Sequence, residues 1–249
     1  MRLIIDLALA SVILMTGMAR AETPNVAVAS NFLAPMKRIV EKYEQKYGGK
    51  VIISHGSTGQ IYTQISNGAP YDLFFSADAE RPEKLEMEGM AESGSRFTYA
   101  IGVLALYGKK GGVADYGVET LKKGGFRKIA IANPKSAPYG AAAKQVLEKL
   151  GLWEKYKPSL VTGENVTQTF LFVKSGGADI GFVALSDAKV SEKADGGYWI
   201  VDKSLYKPIS QQAVLLKRAI GNKRAKEFME FVRSVEIKAL IVEYGYDLP

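Results

Sequence analysis

Val26-Ala27-Val28-Ala29-Ser30-Asn31-Phe32 begins as an apolar run and ends on two polar side chains, just ahead of an amphipathic segment with Pro35 in its first turn. Read by period, it is a buried strand, a short loop and a helix start. The same three-part pattern recurs in ISHGSTGQ (53–60), NPKSAPYGAAAK (133–144) and TGENVTQT (162–169). Strands that alternate with amphipathic helices predict an α/β fold of mostly parallel sheets covered on both faces. In such sheets the loops beyond the strand carboxyl ends gather where ligands bind. A helix start also presents unpaired N–H groups and a positive dipole end. Four of them converging on one cleft make a cage of neutral donors for an anion.

Working outward, strands are expected at 25–29, 50–54, 72–76, 97–107, 128–132, 159–162, 179–183, 198–201 and 212–217. Helices are expected at 33–46, 60–67, 81–88, 140–150, 167–175, 222–234 and 237–244. In the first helix Ile39, Tyr43 and Tyr47 share one face. The long strand at 97–107 and the late one at 212–217 are read as passages between two sub-domains. That predicts a two-lobed molecule with a hinge of two crossovers: lobe 1 from 22–100 and 208–249, lobe 2 from 101–207.

The chain has 249 residues, 47% of them hydrophobic, which is ample for such a core. Residues 1–21 read as a signal peptide. Arg2 precedes an apolar stretch over 3–18, and Ala19-Arg20-Ala21 is an A-x-A cleavage site. There is no cysteine, which excludes disulfides, thiolate chemistry and a lipid-modified cysteine. An exported, unanchored protein is expected in the periplasm. The formal charge of +7, or +6 without the leader, favours anions by long-range attraction. The lysines are scattered, with no basic block of interleaved aromatics, so no nucleic-acid partner is expected.

Hydrolytic chemistry has little support. There is no G-x-S-x-G, and the lone histidine, His55, reads as a solvated strand end. Asp72 and Asp78 flank an apolar run, and paired carboxylates can run acid–base chemistry. Here helix capping and hinge support are the roles expected of them. Gly56-Ser57-Thr58-Gly59 combines close backbone approach with two hydroxyl donors. It lacks the lysine and spacing of a nucleotide loop. Ser30 or Asn31 would suffice as a helix cap, and Pro138 as a first-turn residue.

Several stretches together point to a family. VAVASNFLAPM (26–36), GSTGQIYTQI (56–65), GAPYDLFFSADAERPEKL (68–85), ANPKSAPYGAAAKQVLEKLG (132–151), ENVTQTFLFVKSGGADIGFVALSDA (164–188) and VEYGYDLP (242–249) resemble periplasmic molybdate-binding proteins. These are the substrate-binding subunits of molybdate/tungstate ABC importers, with the two-lobed periplasmic binding protein fold (type II-like). The likeness implies oxyanion contacts at Ser30 and Asn31, in the Ser57-Thr58 pair, and at the backbone N–H groups of Tyr139 and Val166. Spacing does not choose between Ser57 and Thr58. Relatives often add a tyrosine hydroxyl from a G-I-V-Y segment. Here the match is Gly181-Phe182-Val183-Ala184, so Asn31 is expected to supply the lost donor through its amide.

The resemblance therefore implies a non-enzymatic, monomeric binding protein without a cofactor. It would hold molybdate or tungstate as an oxyanion, with no direct metal ligands, and deliver it to an inner-membrane ABC permease with its ATPase. Two alternatives stand beside this reading. One is the same fold binding another anion, such as sulfate. The other is an exported enzyme built on the carboxylates.

Overall fold

Strand β1 (Asn25–Ala29) lies at the heart of the first sheet, buried from Val26 onward. It pairs in parallel with β2 (Ile52–Gly56) on one side and β3 (Leu73–Phe75) on the other. The computed structural model describes residues 23–109, 113–191 and 196–249, so the expected leader lies outside the described residues. Beyond β3 come β4 (Phe97–Gly102), then β5 (Leu104–Lys109), β6 (Ile129–Ala132), β7 (Leu160–Gly163), β8 (Ile180–Ala184), β9 (Gly196–Ile200) and β10 (Ile209–Leu215).

They form two five-stranded sheets with matching plans, β2-β1-β3-β10-β4 and β7-β6-β8-β5-β9. In each, three parallel strands carry the donor loops. The antiparallel fourth member, β10 or β5, is the strand that arrives from the other lobe. The fold is thus the expected two-lobed α/β arrangement, with an antiparallel component that the strand pattern did not reveal.

Helices cover both sheets. Lobe 1 carries α1 (Leu33–Tyr47), α2 (Thr58–Ser66) and α3 (Glu80–Met87); lobe 2 carries α4 (Val113–Lys123), α5 (Pro138–Lys149), α6 (Trp153–Tyr156), α7 (Val166–Ser175) and α8 (Leu185–Ser191). The chain returns to lobe 1 for α9 (Lys223–Val232) and α10 (Val235–Glu243). In α1 the fourfold spacing buries Ile39 and Tyr43, while Tyr47 at the helix end is partly exposed and packs on Tyr43 and Phe231. Helices α4, α6 and α8 were not anticipated. α4 is bent at Gly117, and α6 is a single turn.

The crossovers differ from expectation. The run read as one strand at 97–107 is two, broken at Val103. There the backbone changes partner: β4 pairs with β10, whereas the Val103 carbonyl accepts the Leu185 N–H and β5 pairs with β8. The second passage is not the strand at 212–217. It is the segment 201–208, because β10 lies wholly in the first sheet. Asp247 closes a short antiparallel bridge onto Ile101, which ties the C-terminus to the first crossover.

Strand β6 and helix α5 pack so closely that one position admits no side chain. A Cβ on Gly140 would sit 2.2 Å from the Ala132 carbonyl oxygen and 2.6 Å from its carbon. Gly140→Ala is therefore expected to lower stability by about 1–3 kcal/mol, the usual cost of overpacking. Urea unfolding checks this, and an unchanged midpoint would mean that α5 shifts freely against the sheet.

Candidate functional site

The four helix starts do meet. Ser30, Asn31, Ser57, Thr58, Tyr139 and Val166 are all buried, and all line one small cavity between the lobes. The rest of its wall is Ala29, Gly56, Ala77, Ala137, Pro138 and Asn165, so none of the lining residues is charged.

Each start contributes differently. Ser30-Asn31-Phe32 forms a 3-10 turn leading into α1, and neither that turn nor α1 has a side-chain cap. Helix capping therefore does not account for Ser30 and Asn31. Ser57 caps α2: its Oγ accepts the Gln60 N–H at 3.3 Å, and Gln60 Oε1 accepts the Ser57 N–H at 3.2 Å. Thr58 Oγ1 accepts the Ala77 N–H at 3.0 Å. A hydroxyl that accepts in this way still has its own proton to donate. Both Ser57 and Thr58 thus remain donors. Pro138 opens α5, and Asn165 caps α7 by accepting the Gln168 N–H at 3.0 Å. Tyr139 and Val166 are the second and first residues of their helices, where helical geometry leaves N–H groups without a carbonyl partner.

The lobes are closed on this cavity. Gly59 N–H donates to Ser136 O at 2.8 Å, Thr167 Oγ1 to Ser30 O at 3.2 Å, and Ser186 Oγ to Asn31 O at 3.2 Å. Lys189 Nζ donates to Glu243 O at 2.9 Å.

Asn31 corrects the sequence reading. Its amide does not offer spare donors, because Nδ2 donates to Gln211 Oε1 at 2.7 Å and to Tyr246 Oη at 3.2 Å. Gln211 then joins both lobes: Oε1 also accepts from Tyr99 Oη at 3.1 Å, and Nε2 donates to Tyr139 Oη at 3.3 Å. Burial pushes the Tyr99 and Tyr139 phenols well above their ordinary pKa, and Tyr246 upward as well, so the network stays neutral. Ala184 belongs to the core of lobe 2 and is absent from the cavity wall.

Sequence reasoning missed Gln211 and Tyr246. The signal for Gln211 was available: it occupies an inward position of the alternating strand ISQQAVL, where an apolar residue is the rule. Asp72 and Asp78 lie at opposite ends of β3, each with partners of its own. Asp72 accepts the Asn25 N–H at 2.8 Å, whereas Asp78 pairs with Arg81 and accepts the Arg81 N–H at 3.1 Å beside the first turn of α3, whose N-cap residue is Ala79. They form no catalytic pair. His55 is exposed on β2, as expected.

One other carboxyl sits near the site. Asp187, on α8, lies 3.5 Å from Thr167 Oγ1, the hydroxyl that reaches across to Ser30. Burial pushes its pKa up to about 7, with the Thr167 contact pulling slightly the other way.

Comparison with known proteins fits this geometry. The family described as bacterial extracellular solute-binding protein matches residues 24–247. The molybdate-binding protein ModA of Azotobacter vinelandii is 48% identical over 231 residues, covering 92% of each chain. That of Rhodobacter capsulatus is 46% identical over 220 residues, 88% of this chain and 86% of its own. The solved periplasmic molybdate-binding protein of Azotobacter vinelandii superposes with a TM-score of 0.87 at 42% identity, covering 91% of this chain and 99% of its own.

Asp187 yields a pH test. Its folded pKa of about 7 lies above the ordinary aspartate value of 3.8, so between those values the folded chain keeps a proton that the unfolded chain releases. Stability from this group is complete below about pH 4 and is lost as pH rises through about 7. Asp187→Asn, which cannot ionise, is expected to match the parent near pH 4 and to exceed it in melting temperature above pH 7. For a chain of this size each kcal/mol corresponds to about 2–4 °C. Parallel melting curves across that range would refute the assignment.

Proposed function

Since the chain belongs to the bacterial extracellular solute-binding proteins, we propose that it captures molybdate, or tungstate, between its lobes for import by an inner-membrane ABC permease with its ATPase. The observation that carries this is the uncharged cavity in which four helix starts converge. The protein acts by binding, and no bond is made or broken. It works in the periplasm, reached through a signal peptide at 1–21, and as a monomer. Its lobes close about the crossovers at Val103 and 201–208.

The oxyanion contacts are assigned to Ser30 and Asn31 at the first helix start, the Ser57 and Thr58 hydroxyls, and the N–H groups of Tyr139 and Val166. Asn31 contributes through its backbone. Its amide holds the hinge network, and the tyrosine missing at Ala184 has no side-chain substitute. A fully ionised dianion needs only donors, and donors are what this wall supplies. Hydrogen phosphate carries a proton and calls for an acceptor such as a carboxylate, which the wall lacks. Sulfate has the same charge but is smaller, so a cage set by helix starts would hold it at stretched distances. Each poorly made contact forfeits about 1 kcal/mol.

Molybdate and tungstate are accordingly expected to raise the melting temperature by mass action, and sulfate to do so only weakly at equal concentration. An equal shift with sulfate would favour a general anion receptor, and a shift with phosphate would contradict the all-donor wall. Calorimetric titration of the four anions gives the same comparison as affinities.

Removing both hydroxyls, Ser57→Ala with Thr58→Val, should cost about 1.5–3 kcal/mol of molybdate binding for each lost bond to the charged ligand. Losing the Ser57 cap should also cost about 1 kcal/mol of ligand-free stability. Affinity retained in a folded double variant would reduce GSTG to a turn.

A further inference from the structure

Gly59 has no conformational reason to be glycine. It is the second residue of α2, its φ lies outside the left-handed region, and glycine is a poor helix former. Its surroundings supply the reason. Gly59 N–H donates to the Ser136 carbonyl at 2.8 Å, from lobe 1 to lobe 2. A Cβ at Gly59 would stand 3.0 Å from Ser136 Cα and 3.1 Å from both its Cβ and its carbonyl oxygen. Other contacts along this side of the seam, Arg81 to the Lys135 carbonyl at 3.2 Å and Gln60 to Glu164 at 3.5 Å, run through long side chains that can yield. Among the described residues, Gly59 to Ser136 is the backbone-to-backbone bond that joins the lobes away from the crossovers.

We infer that Gly59 is a specificity-determining positioning residue: its contact with Ser136 is the stop that ends lobe closure and so sets the width of the oxyanion cage. The inference rests on the function proposed above. Neither residue lines the cavity. Yet Gly59 directly follows Thr58, and Ser136 lies just before Pro138 and Tyr139, so donors on opposite walls hang from this one contact. A methyl group at Gly59 holds the walls apart. The better-fitting ion has well-made hydrogen bonds to lose, whereas a smaller ion already held at stretched distances has less, so widening the cage narrows the discrimination between them.

The test is Gly59→Ala, titrated with molybdate and with sulfate. Its ligand-free melting temperature should equal or exceed that of the parent, since alanine is the better helix former. Molybdate affinity should fall about tenfold, the equivalent of one well-made contact, and sulfate affinity by less. Adding Ser136→Gly removes one of the three crowding atoms and should recover part of the loss, read as coupling in a double-mutant cycle. Lobe separation is measured independently by energy transfer between labels on exposed Met87→Cys and Glu148→Cys, which are unique because the chain has no cysteine. The molybdate-saturated distance should lengthen in the variant. Parental affinity and selectivity, or an unchanged saturated distance, would overturn the stop. If the parent binds neither oxyanion, the proposed function fails. The label pair then still decides the stop without ligand: a smaller closed population in Gly59→Ala supports it, and an unchanged one overturns it.

Discussion

An anion removed from water needs its lost hydration replaced, and this protein is organised around doing so without a counter-charge. The cavity wall has hydroxyls and helix starts but no Lys or Arg. Helix starts suit the task because their N–H groups are left unpaired by helical geometry and already point outward. The cost is positional. A hydrogen bond is far shorter in range than a charge, so the donors on the two lobes must arrive at the same place together. The matching sheet plans serve this. Each puts the carboxyl ends of its parallel strands, and the loops that follow them, toward the other lobe.

Closure then has to bury polar side chains at the hinge without leaving them unpaired, since an unpaired buried group costs about 1–3 kcal/mol. Gln211 meets this at a β-bulge, where the register of β10 against β4 shifts. It accepts from Asn31 and Tyr99 in lobe 1 and donates to Tyr139 in lobe 2. Tyr246 continues the chain, donating to the Asn31 carbonyl at 2.6 Å and meeting Ser186 of lobe 2 at 3.0 Å. The residues that carry the cage are thereby tied to those that report closure. Tyr139 belongs to both groups, its backbone in the wall and its hydroxyl in the network.

What the sequence by itself determined is local. Apolar runs, hydrophobic period and cap residues depend on near neighbours, so β1, β6, β8, α1, α5 and α7 were legible to within a few residues. So were the four helix starts and, through motif resemblance, six of the twelve residues that line the cavity. Tertiary structure decided what depends on partners distant in the chain. Phe97 to Lys109 is apolar nearly throughout, and only the change of partner at Val103 divides it between lobes. Asn31 offers two amide donors to any reader of its sequence, and only Gln211 and Tyr246, 180 and 215 residues away, reveal that both are taken. Gly59 reads as a loop glycine until Ser136 is seen against it. Donor chemistry is written in residue type, whereas which donors remain free, and how closely the walls approach, is a matter of steric and hydrogen-bond competition that exists only once the lobes have met.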